Sequence, residues 1–483
     1  MEGFGTGPGS VVIGCSCRQI DEGYAVEAPR HRTCIAAAGG SISPIRSLMV
    51  HRTQAGRPMR AVNPRRPTTP RPAQEATPQI QEPLGVAVRE ATPGSDHLCV
   101  RVGDPYSRLA PARMHQIFKW LGSGLADQPS WRYLDLSHQR LDSKMCKGLG
   151  QLLSENPQLK GLKVRYCVMG AEGLAHILDG IQGHAGFALC FGGAEFKIDE
   201  VVCEALTTCQ ATHIDLSTVR GSNAQARRIV KALTGNPWVR SLDLSHFALG
   251  NDVEPLLMKG QLTHLHLRSV RPANGYEMTD LLRALACCSS MKVLDLSQVA
   301  LSGESETKAL KSIVRHPNMR VLSLSNLLRP REGLEAALKV FAAGNTRIRK
   351  LDLSNNFKWS CEEFDLLVLT LQTNRQLHEL SLSNCGLTDE HSVKLRDALR
   401  QHCFLRSIDL RKNDLGQELV AKIREVVNEN LHKLARDGLK SVLGWGQRNI
   451  PDELLSVIVG FAGHANAPTR DGTLAALIAL PYP

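Results

Sequence analysis

Aromatic side chains make up only 5% of the 483 residues, and the chain contains no apolar run as long as eighteen residues. The second absence leaves no candidate for a membrane-spanning helix, and no basic segment followed by an apolar stretch opens the chain as a Sec signal would. The first bears on nucleic acid. A net charge of +11 could attract phosphate, but specific binding of that kind uses rings interleaved with the cations or a folded basic face. Neither a membrane nor a specific nucleic acid is therefore expected as a partner. Phosphate-cradling Gly-x-x-x-x-Gly-Lys, His-Glu-x-x-His, Gly-x-Ser-x-Gly and Cys-x-x-Cys motifs are also missing. No catalytic residue, cofactor or metal site is expected. The 14 cysteines are scattered, and Cys15-Ser-Cys17 with Cys34 lacks a second close pair of metal-ligand spacing. Reduced thiols in a cytosolic setting are the expectation.

What is present is an internal repeat. Leu134-Asp-Leu136-Ser returns as Leu242-Asp-Leu244-Ser, Leu294-Asp-Leu296-Ser, Leu322-Ser-Leu324-Ser, Leu351-Asp-Leu353-Ser, Leu380-Ser-Leu382-Ser and Ile408-Asp-Leu410. Weaker copies are anchored at Leu162, Phe187, Ile214 and Leu265. The anchors lie about 23 to 29 residues apart, within the period of leucine-rich repeats. Apolar residues three before the anchor, at it and two after it, as in Val239, Leu242 and Leu244, predict a short strand with one buried face. Spacing then changes to three and four, as in Ile229, Val230, Leu233 or Leu334, Leu338, Phe341, which predicts one amphipathic helix per unit. Such units bury their apolar faces only by stacking. The expected class is α/β, a solenoid with a parallel inner sheet and outer helices.

Asn156-Pro157, Asn236-Pro237 and His316-Pro317 stop helices and send the chain back to a strand. With this punctuation the chain resembles the ribonuclease-inhibitor class of leucine-rich repeats from about Arg132 to Asn430. Five residues after the anchor that class carries Asn or Cys. Here the residues are Gln139, Cys167, Val219, Phe247, Val270, Val299, Leu327, Asn356, Cys385 and Asn413, so the last three repeats are expected to be the most regular. The least regular stretches should be Gly183 to Cys203 and the short unit between Leu242 and Leu265.

Residues 1–104 read as a disordered leader. Lysine is absent before Lys119, and Met49 to Pro72 holds six arginines and no acid among Pro, Thr and Gln. Met49 is an alternative start, and a chain opening there resembles the type III secretion signals of Gram-negative pathogens. Residues 105–132, with Met114, Ile117, Phe118, Leu121 and Leu125 at helical spacing, are expected to cap the array. Repeats fill 133–430. Residues 431–483 are read as a helical C-terminal cap; the run from Ile450 to Phe461 also resembles the opening helix of an F-box, which would dock on a ubiquitin-ligase adaptor.

Gly170-Ala-Glu-Gly173-Leu174-Ala175 resembles the repeat signature of GALA-type effectors of plant-pathogenic bacteria, and more loosely NOD-like receptors and Ran GTPase-activating proteins. The effector resemblance implies a nonenzymatic recognition protein, secreted without a Sec signal and acting in the host cytoplasm; otherwise the chain is cytoplasmic. An F-box-like ligase adaptor is the alternative, and a Ran-type activator a further one. A monomer binding a protein on its concave face is expected. One position after each anchor runs a column of Asp, Ser and His, and three and four after it a second column of Ser, Asn and basic residues. The binding candidates from these columns are Asp243, His246, His266, Arg268, Asp295, Asp352, Asn355, Asn384, Asp409, Arg411 and Lys412.

Overall fold

The structure is a computed structural model that describes residues 86–90, 98–102, 109–127 and 130–443, apart from 220–222, 274, 302, 328–331, 345, 358 and 402–403. The leader before residue 86, the Met49 start and the run from Ile450 to Phe461 lie outside the described residues.

Thirteen strands form one sheet in which chain order and spatial order coincide. Each repeat adds three residues, the anchor in the middle, paired in parallel and without slip to its neighbour: Leu242 with Leu265, Leu265 with Leu294, Leu294 with Leu322. The anchors and the apolar residues two positions on are buried, Leu353 and Leu382 among them, except that the last anchor, Ile408, is half-buried. A residue alternating across a strand can reach the core only from one face, so this single register buries every second side chain along the array. Helices return each strand to the start of the next, as Asn223–Gly235, Met278–Cys287 and Glu304–Val314 do. The fold is a leucine-rich repeat solenoid.

Helix ends follow local chemistry. Ser360 accepts a hydrogen bond from the Glu363 amide at 3.1 Å while Glu363 accepts one from the Ser360 amide at 2.8 Å, a reciprocal cap that starts Cys361–Thr373. At the exits, the residue before proline is a stitch between repeats. Asn236, fully buried, donates to the carbonyls of Leu206 and Cys209 at 2.7 and 2.8 Å and accepts from the Trp238 amide at 2.7 Å. On the strand-to-helix side, Asn356 and Asn413 each donate to two carbonyls, one in their own repeat and one in the preceding repeat. Cys167 and Cys385 make the weaker equivalent through sulfur. These contacts satisfy backbone groups that the turn leaves inside.

Three boundaries differ from the sequence reading. The array opens before residue 105: Val86–Glu90 pairs antiparallel with Leu98–Val102, which pairs in parallel with Trp131–Asp135. The period-two pattern Leu98, Val100, Val102 carries this strand, and it supplies backbone partners to the sheet edge that a helix alone could not. Helix Pro111–Asp127 buries Met114, Ile117, Phe118, Leu121 and Leu125 behind it. In the second weak repeat the anchor is Leu189, paired with Leu162 and Ile214, and not Phe187. Both are fully buried, and a period of two cannot choose between residues two apart. At the other end, helix Gln417–Leu443 runs unbroken through the expected boundary at 430/431.

The stretch Gly170 to Ala175 has a packing role. Helices Ser143–Glu155 and Ala171–Gly180 approach so closely that a β-carbon on Gly150 would lie 2.2 Å from the His176 carbonyl oxygen, and one on Gly180 2.3 Å from that of Gly150. Gly173 sits against the Cys146 side chain in the same contact.

Candidate functional site

The residue after each anchor, with Arg101 of the first parallel strand in line with them, forms a continuous row across the concave face: Arg101, Asp135, Lys163, Cys190, Asp215, Asp243, His266, Asp295, Ser323, Asp352, Ser381, Asp409. Neighbours stand about 4.8 Å apart along it. The aspartates share one structural duty. Their Oδ1 accepts the amide two residues on, from Ser137, Ser217, Ser245, Ser297, Ser354 and Arg411, at 2.8 to 3.0 Å. This turn leads the chain out of the strand, so the Asp identity is set first by the backbone. The second oxygen is left to the row.

What surrounds that oxygen divides the face in three. Toward the N-terminal end, Asp135 Oδ2 lies 4.0 Å from Arg101 and 3.9 Å from Lys163, and Asp215 Oδ2 lies 3.7 Å from Arg165. Asp135, Lys163 and Asp215 are buried, so this part of the row is not the open polar surface expected from the sequence. In the middle, His266 stands between Asp243 and Asp295, its Nδ1 3.8 Å from Asp295 Oδ2. Burial opposes charge on the ring, but the nearby carboxylate of Asp295, with the charges of Asp243 and Asp215, outweighs it, and the His266 pKa is raised. Burial, then the neighbouring Asp215, pushes Asp243 up. Burial would do the same to Asp295, yet His266 and Ser297 hold it below the usual carboxylate range. Beyond Asp295 the row turns to hydroxyl pairs, Ser297 with Ser323 at 2.8 Å and Ser354 with Ser381 at 2.6 Å.

The fourth residue after every anchor has positive φ: His138, Tyr166, Thr218, His246, Ser269, Gln298, Asn326, Asn355, Asn384 and Lys412, with Gly193 in the remaining unit. Each repeat thus turns through a left-handed corner, which asparagine tolerates best among residues with a β-carbon. Asn355 and Asn384 therefore owe their places to the backbone. Their side chains are also engaged, Asn384 donating to Asn355 at 2.8 Å and Asn355 to Ser325 at 3.3 Å.

The eleven candidates thus separate. Asp243, His266 and Asp295 are brought side by side, with Arg268 exposed on the adjoining turn and bonded through its carbonyl to the amide of exposed His246. Burial, then Arg268 and Arg271, lowers the His246 pKa. A cavity of about 260 Å³ opens beside it, lined by Ile198, Val219, Ala226, Phe247 and Arg271. Asp352 accepts from Ser323, and Asp409 is clasped by both Nε and Nη2 of Arg411, at 2.9 and 2.7 Å. Arg411 is paired within its own repeat, so part of the positive charge of Arg411 and Lys412 is cancelled there. Lys412, exposed, lies at the far end of the sheet. The sequence reading missed Lys163 and Arg165, departures from the repeat pattern at columns it had already singled out, and Arg101, whose strand it did not foresee.

No family model matches the chain. Over 309 residues, 60% of the chain, it is 28% identical to NACHT, LRR and PYD domains-containing protein 3 of Bos taurus, covering 26% of that protein. Over 312 residues, 61% of the chain, it is 26% identical to NACHT, LRR and PYD domains-containing protein 12 of Homo sapiens, covering 29% of it. The chain spans between a quarter and three tenths of the length of these relatives. Among solved structures, an internalin from Listeria monocytogenes aligns at 12% identity over 62% of this chain and 86% of its own, with a TM-score of 0.34. TLR13 in its ssRNA13 complex aligns at 16% over 61% and 51%, with a TM-score of 0.36.

Proposed function

We propose that the chain is a nonenzymatic recognition module that holds a protein partner on its concave face, centred on Asp243, His266, Arg268 and Asp295. The register that sets His266 between two aspartates carries the reading: charged, half-exposed groups are presented side by side on strands, where backbone bonds fix their spacing. Relatives bearing leucine-rich repeats support a recognition role. A photo-crosslinking residue placed at Arg268 should capture the partner, whereas one at Lys231 on an outer helix should not. Capture from Lys231 alone would overturn the reading. The proposal extends to delivery into a host cell, on the strength of the acid-poor leader from Met49 to Pro72. Residues 49–104 fused to a reporter should then be translocated by a type III secretion strain and not by a secretion-deficient one.

A further inference from the structure

A second surface lies at the opposite end of each strand from the turns just described. The residue two before each anchor is bonded through its backbone to its counterpart in the next repeat: the Arg320 amide donates to Lys292 O, Arg349 to Arg320 O, His378 to Arg349 O and Arg406 to His378 O, all at 2.7 to 2.8 Å. Earlier in the same ladder stand Arg240 and Thr263. The entry edge of the sheet thus carries Arg240, Lys292, Arg320, Arg349 and Arg406, interrupted by Thr263 and His378, with Arg347 beside it. All are exposed except half-buried Arg320.

These cations are not helix caps. Each follows the end of its helix by five to seven residues, beyond the last turn in which a cation acts on the helix dipole. Nor are they neutralised. Among the described residues none of the six makes an ion pair with a carboxylate, and Glu379, the one acid in the entry turns from Arg240 to Ser407, is taken by Lys350 at 2.9 Å. Two are held rigidly. Arg240 donates to Pro237 O and Val239 O, and Arg320 to Pro317 O and Met319 O, so part of each guanidinium is pinned to its own loop. Burial and then Arg349 and Arg347 weaken the hold of Arg320 on its proton, the mark of like charges kept together. The opposite edge, where helices begin, carries Glu304, Glu306, Glu362, Glu363, Asp389 and Glu390.

We propose that the entry edge from Lys292 to Arg406 docks an acidic, extended segment of a protein partner. Lys292, Arg320 and Arg349 stand on successive repeats at about 4.8 Å per repeat, and Arg406 follows one repeat beyond His378; the row lacks a counter-charge of its own. A nucleic acid would want rings to stack on. Between Lys292 and Arg406 the entry turns hold one Phe, Tyr or Trp, and that residue, Phe404, is half-buried.

The test uses the full chain and a fluorescent twelve-residue Glu/Asp peptide, with a single-stranded RNA of equal charge as competitor. The peptide should bind, with affinity falling as salt is raised. Because the leader is itself rich in arginine, only the comparison with variants decides. Arg349→Glu with Arg406→Glu, neither of which pins a loop, should weaken peptide binding by about tenfold or more, while Lys147→Glu with Lys231→Glu on the outer helices should change it little. Arg349→Gln with Arg406→Gln should give an intermediate loss and guards against misfolding, as does an unchanged melting temperature. Equal affinity in the edge and outer variants, or RNA displacing the peptide and losing its own binding in the edge variants alone, would overturn the proposal. Crosslinking from Arg268 is indifferent to these substitutions if the two surfaces are separate, so failure here does not count against the concave site.

Discussion

At single residues, the distinction that matters is between side chains placed by the backbone and side chains left over for a partner. His246 has φ of 68° and Asn355 of 61°, so both occupy a corner that costs a β-branched residue more than glycine. His246→Gly should leave the melting temperature nearly unchanged, and His246→Val should cost about 1 to 2 kcal/mol. If instead both unfold alike, the corner is not what selects the residue. His266 belongs to the other kind. Its raised pKa means that the folded state binds the proton more tightly than the unfolded chain does. The stability it contributes is fully present below the ordinary histidine value of 6.5, and is lost as pH rises through the higher folded value. Denaturant titrations across that window should show the loss in the parent and a flatter profile in His266→Gln. Thiols make a parallel test: burial pushes Cys146 and Cys167 up to about 12, while Cys287 and Cys361 are exposed. Mass mapping after brief alkylation near pH 8 should find the exposed pair modified and the buried pair untouched until the chain unfolds.

Elements meet in ways that leave little room. Gly150 and Gly180 let two helices touch backbone to backbone, so Gly150→Ala cannot be the helix-stabilising change that propensity alone would suggest. The added methyl must push one helix away, at about 1 to 3 kcal/mol, readable as a lowered melting temperature. Leu353 and Leu382 are fully buried just past the ends of two neighbouring strands, Lys350–Asp352 and Glu379–Ser381. Truncation of either to Ala should cost about 2 to 5 kcal/mol, and if both variants melt like the parent, the strand register is wrong.

Over the whole array stability passes between neighbours, because each repeat contacts only the next. The last strand depends on helix Gln417–Leu443, whose Ile423, Val426 and Val427 are buried and whose Asn430 donates to Leu399 O at 2.9 Å. Val427→Asp would place an unpaired charge in an apolar site, costing several kcal/mol. Hydrogen exchange should then quicken in the final repeats first and fade toward Leu134. Uniform acceleration from end to end would mean that the solenoid unfolds as one unit.

The period of the Leu-x-Leu pairs, the change from two to three and four, and the Asn-Pro stops were enough to determine a solenoid of strands and helices, since these patterns are local and repeat many times over. The binding face was only half legible there. A column of Asp can be named from sequence, but whether an oxygen is spent on a backbone turn, whether Lys163 or Arg165 faces it, and whether Arg411 is free or clasped depend on neighbours some 25 to 30 residues away, brought beside it only by stacking. The same holds for the cations before each strand. Single arginines in separate loops carry no signal in the chain, and only the parallel register, which sets corresponding residues about 4.8 Å apart, makes them one surface.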